Sequence, residues 1–152
     1  MHFWIRIMMK ANGGTTEFDS LQALVISPSE EIRAALSTAL ASTGVLPIFC
    51  GSVPEACGLL DHEDIRIVIC DDGLPDKGLQ QIVAELGKRQ SPLPVIATSR
   101  TGEWDEFLEA LRQGAFDYLS LPPRSDELAR ILASALGKSL RPSGMAAVGA
   151  TT

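Results

Sequence analysis

Ile65-Arg66-Ile67-Val68-Ile69-Cys70-Asp71-Asp72-Gly73-Leu74-Pro75 decides the fold. The apolar stretch is nearly continuous instead of alternating, so it reads as a strand buried on both faces. Two acids, a glycine and a proline then stop it. A strand of this kind needs helices above and below, which implies a parallel sheet joined by crossovers.

The same rhythm extends in both directions. Toward the N-terminus stand Ala23 to Ile26, followed by Ile32, Leu36 and Leu40 at helical spacing, then Leu46 to Cys50, followed by Ala56, Leu59 and Leu60. Toward the C-terminus stand Leu79, Ile82, Val83 and Leu86 at helical spacing, the run Val95 to Thr98, then Phe107, Leu108 and Leu111. The run Phe116 to Leu119 and the helical set Leu128, Ile131, Leu132 and Leu136 complete the series. The pattern predicts five strands and five helices in alternation, a doubly wound α/β fold. Ser52-Val53-Pro54-Glu55 has the form of a capping box, and Ser125 precedes Asp126 and Glu127, acids suited to a helix N-terminus. In such sheets the functional site lies at the carboxyl ends of the strands, near the point where strand order reverses.

Residues 1–20 and 138–152 are expected to be flexible segments around a core domain of residues 21–137. The stretch Phe3-Trp4-Ile5 near the start fits an added strand, a docking contact or a misplaced start site, with Met8 and Met9 close by. That opening stretch is interrupted by Arg6 and is too short to span a bilayer, so neither a membrane segment nor an export signal is expected. A net charge of −6 argues against direct nucleic-acid binding, because phosphate attraction supplies most non-specific affinity. Cys50, Cys57 and Cys70 lack metal-ligand spacing and are odd in number, which suits reduced thiols in a cytoplasmic protein.

The core resembles the receiver domain of two-component response regulators (the CheY-like superfamily). The stretch from Ile67 to Pro75 is similar to the family's apolar strand, acceptor aspartate and following proline. Pro94-Val95-Ile96-Ala97-Thr98-Ser99 resembles the fourth strand with its terminal hydroxyl, and Gly114-Ala115-Phe116-Asp117-Tyr118-Leu119-Ser120-Leu121-Pro122 resembles the family's closing motif. The resemblance implies a flavodoxin-like (βα)5 fold with strand order 2-1-3-4-5 and a non-enzymatic signalling role. It makes Asp71 the phosphoacceptor, Ser99 and Tyr118 the switch residues, and a cis bond before Pro122 the expected geometry.

Three positions depart from the family pattern. Ser27 and Pro28 stand where the family carries an acid pair that holds Mg²⁺, and Leu121 stands where it carries a phosphate-contacting lysine. Read for its own chemistry, Ser27-Pro28-Ser29-Glu30 predicts a helix start with Ser27 as N-cap and Pro28 at N1. No metal site or cofactor is therefore expected, although Asp71 with a backbone carbonyl could retain Mg²⁺ weakly. Asp72 is a second acid beside the acceptor; one reading makes it a ligand, the other a solvated or turn-capping acid.

Three functions follow. One is an atypical receiver in a phosphorelay, served by a histidine kinase or phosphotransfer protein and acting on a downstream effector domain. Another is a phosphorylation-independent interaction or dimerisation module. The third, a flavodoxin-like cofactor-binding enzyme, is disfavoured by the short acidic loop after strand one. The family's signalling face corresponds to residues 101–136, where Trp104 and Phe107 are candidate contacts and a homodimer is expected.

Overall fold

A computed structural model describes residues 21–89 and 92–137. The two terminal segments and the Phe3-Trp4-Ile5 stretch lie outside the described residues. Five strands, β1 (Gln22–Ile26), β2 (Leu46–Cys50), β3 (Ile65–Asp71), β4 (Val95–Ser99) and β5 (Asp117–Ser120), alternate with five helices. The helices are α1 (Glu30–Ala41), α2 (Val53–His62), α3 (Gly78–Gly87), α4 (Trp104–Arg112) and α5 (Ser125–Leu136). All strand pairs are parallel and the sheet order is β2-β1-β3-β4-β5, so the order reverses between β1 and β3.

Alternate residues of each strand feed two cores. Ala23, Val25, Ile67, Ile69, Ile96 and Leu119 pack against α1 and α5 through Ile32, Leu36, Leu40, Leu128 and Leu132. Leu24, Ile26, Val68, Cys70, Ala97 and Tyr118 pack against α2, α3 and α4 through Ala56, Leu60, Ile82, Leu86 and Ala110. Two-sided burial is why the strands read as unbroken apolar runs. At the outer strand β2 only Cys50 is fully buried, and β5 begins at Asp117 because Phe116, expected in the strand, is turned out to solvent.

The helix starts divide into two groups. Ser52 caps α2 as expected, accepting from Glu55 N–H at 3.4 Å and donating to the Glu55 carboxylate at 3.3 Å. For α1 the expectation is corrected. The N-cap is Ser29, which accepts from Ile32 N–H, and Ser27 remains at the end of β1. An N-cap hydroxyl must face the third amide of its helix, and Ser27 is instead aimed across the sheet. Ser125 is itself the first residue of α5, preceded by Arg124, and its acids Asp126 and Glu127 lie in the first turn. The Leu121–Pro122 bond is cis.

Candidate functional site

Sheet register builds the site. Ile26 pairs with Cys70 and Asp71 pairs with Thr98, so the residues ending β1, β3 and β4 stand side by side at the carboxyl edge. Asp71 is 8% exposed, while Ser27 and Thr98 are fully buried. Ser27 Oγ donates to Asp71 Oδ2 at 2.8 Å, and the Gly73 amide donates to Oδ1 at 2.8 Å. Both carboxylate oxygens therefore have neutral donors. Ser27 Oγ also accepts from Ser29 N–H at 3.1 Å, and Arg33 Nε donates to the Ser27 carbonyl at 2.7 Å. The serine is fixed from three sides, and its hydroxyl proton is committed to the aspartate.

Pro28 is exposed and contributes no donor, and Leu121 packs its side chain against the α1/α5 core instead of reaching the carboxylate. Among the described residues no group of three or more His, Cys, Asp or Glu side chains is arranged to hold a metal ion.

Ser99 and Tyr118 lie on the opposite face of the same edge. Ser99 Oγ donates to Glu106 Oε1 at 3.1 Å, accepts from Thr101 N–H at 3.1 Å and stands 3.2 Å from Thr101 Oγ1. Thr101 Oγ1 in turn donates to Glu106 Oε2. Tyr118 is buried with its ring edge-on to Phe107 at 5.7 Å. Its hydroxyl lies beside the hydroxyls of Ser99 and Thr101, and burial raises its pKa. The structure thus joins Asp71 to Ser27, and Ser99 to Glu106, but does not join Ser99 to Asp71.

Asp72 stands next to the acceptor position. It is half-buried, and burial, with Glu106 and Asp71 adding like charge, pushes its carboxyl up to about 6. Glu106, Thr101 and Arg33 are contacts that the sequence expectations leave out. A Ser-x-Thr followed by Glu at the third position of the next helix is the pattern that points to the first two.

The thiols of Cys50 and Cys70 are buried, and burial pushes Cys50 up to about 11 and Cys70 higher still. They are packing groups, since the reactive form is the thiolate.

Residues 23–133 match the family described as the response regulator receiver domain. Two relatives come from Pseudomonas aeruginosa. The response regulator protein PilR is 30% identical over 115 residues, covering 76% of this chain and 26% of that protein, and FleR is 31% identical over 118 residues, covering 77% and 25%. The chain thus spans about a quarter of the length of these relatives. Among solved structures, an atypical orphan response regulator, described as having a phosphorylation-independent regulatory mechanism, superposes with a TM-score of 0.63. It shares 22% identity and covers 77% of this chain and 96% of that one. This chain belongs to the response regulator receiver domain family of two-component signalling.

Proposed function

We propose that this receiver acts in two-component signalling through protein contacts, with its state set without a phosphate on Asp71. The observation that carries the proposal is the 2.8 Å bond from Ser27 Oγ to Asp71 Oδ2. Phosphoryl transfer to a carboxylate depends on positioning and on neutralising the charge on its oxygens. Here the family's acid pair is replaced by Ser27 and Pro28, and its lysine by Leu121. A bond to a charged partner contributes roughly 1.5–3 kcal/mol, so Leu121 alone removes about one to two decades of phosphoryl stabilisation. The donor set around Asp71 does not fit a divalent-ion site either. Mg²⁺ is usually held by one or two carboxylates together with phosphate and water, and both oxygens of Asp71 are already engaged by the Ser27 hydroxyl and the Gly73 amide.

The supporting precedent on this fold is the atypical orphan regulator and its phosphorylation-independent mechanism. The contact face we assign is residues 101–136. Trp104 is 66% exposed there, with Phe116 and Leu111 also open to solvent. Partners of the two-component type, a histidine kinase, a phosphotransfer protein or an effector domain, and a second copy of this chain are the occupants this reading expects. No helix among the described residues is long and apolar enough to cross a membrane.

Incubation with a small-molecule phosphodonor and Mg²⁺, followed by intact-mass measurement, tests the proposal. The mass should stay unchanged. A stoichiometric phosphoryl adduct that disappears in Asp71→Ala would overturn it. A second reading, phosphotransfer from a partner kinase that itself supplies the missing charge, is favoured by Asp71, Ser99 and Tyr118 occupying the family positions. It predicts transfer from the kinase where the small donor fails.

A further inference from the structure

Proton counting at the head of α4 limits what Ser99 can do. Its hydroxyl carries one hydrogen, which it donates to Glu106 Oε1 at 3.1 Å. The Thr101 hydroxyl hydrogen goes to Glu106 Oε2. With both hydrogens spent, the 3.2 Å approach of the two hydroxyl oxygens has no donor left. A lone pair of Ser99 Oγ is occupied as well, by the Thr101 amide at 3.1 Å. The Ser99 hydroxyl is bonded on the α4 side, with Asp72 and Tyr118 also beside it, while the oxygens of Asp71 are satisfied by Ser27 and Gly73.

Glu106 is the third residue of α4, whose N-cap Glu103 makes no side-chain cap bond. A glutamate at that position normally folds back onto the N-cap amide; here it reaches past it to the two hydroxyls of the β4–α4 loop. The next residue, Phe107, meets Tyr118 edge-on and also touches Trp104, ring centroids 5.1 Å apart. One carboxylate therefore ties Ser99 to the first turn of α4, and through Phe107 that turn rests on the inward Tyr118.

We infer that Glu106 is the positioning residue of the switch: its carboxylate holds the Ser99 hydroxyl away from Asp71 and keeps α4 docked over Tyr118. The inference rests on Ser99 and Tyr118 being the switch positions. It does not depend on whether Asp71 accepts phosphate.

Amide hydrogen exchange over Thr101 to Phe107 in the full chain tests it without any phosphodonor, so its outcome is separate from that of the mass measurement. Glu106→Ala should speed exchange there by about tenfold or more, as expected for loss of bonds to a charged group. Glu106→Gln, which keeps one acceptor oxygen, should fall between that variant and the wild type. Asp105→Ala removes a neighbouring first-turn charge that touches neither hydroxyl, and should change exchange by less than about twofold. In a Ser99→Ala/Thr101→Ala background, Glu106→Ala should have almost no further effect. Equal acceleration with and without the hydroxyls, or an Asp105→Ala effect as large as that of Glu106→Ala, would overturn the inference. Exchange in β1 and β3 reports whether the fold is intact. If Glu106→Ala loses protection there, Glu106→Gln decides, and wild-type exchange in that variant counts against the latch.

Discussion

Ser27 Oγ, 2.8 Å from Asp71 Oδ2, does the work of a neutral partner for a buried carboxylate. Removing one donor from such a group leaves the other uncompensated, at a cost of about 1–3 kcal/mol. Ser27→Ala should lower the denaturant midpoint accordingly, measured by equilibrium unfolding with an unchanged m-value. Asp72 acts in the opposite sense. Burial and the nearby charge of Glu106 and Asp71 push its carboxyl from the ordinary 3.8 up to about 6. Between these values the folded state binds more protons than the unfolded one, so this group lowers stability as pH rises through the window. Asp72→Asn should therefore be the more stable protein at neutral pH. Its advantage should shrink as pH falls below about 6 and vanish below the ordinary carboxylate range, as unfolding curves across that interval would show.

Helix ends and turns decide how these side chains are presented. Gly114, after α4, has φ of +106°, and a Cβ there would lie 2.7 Å from Val83 Cγ1 on α3. Both the backbone and the packing exclude a side chain, so Gly114→Ala should destabilise by more than about 1 kcal/mol, visible as a lower thermal midpoint. The elements themselves were legible because an unbroken apolar strand between amphipathic segments has few alternative folds; Ile67 to Cys70 and Ile82 to Leu86 each carry that signal without help. The start of α1 was less so, since Ser27 and Ser29 are both good N-caps by composition. Choosing Ser29 requires knowing that β1 and β3 are in register, which brings Ser27 beside Asp71. Asp71 and Tyr118 are candidates from motif position alone. The partnership of Ser99 with Glu106 could not, because it depends on how the β4–α4 loop returns the helix onto the strand edge.

At the scale of the whole molecule, a receiver fold carries Ser27, Pro28 and Leu121 in and near its carboxyl edge. Trp104 touches Phe107 yet is 66% exposed, so most of its ring is open to a partner. Sedimentation should show self-association that weakens in Trp104→Ala while thermal stability stays near that of the wild type; a wild-type monomer at high concentration would remove the homodimer from the proposed partners. The proposed function requires that the Asp71 pocket bind neither Mg²⁺ nor phosphate. Calorimetric titration of Mg²⁺, with and without the phosphate mimic beryllofluoride, tests this most directly. The account predicts no saturable heat at millimolar Mg²⁺ in either case, whereas one-to-one binding strengthened by beryllofluoride and abolished by Asp71→Ala would contradict it.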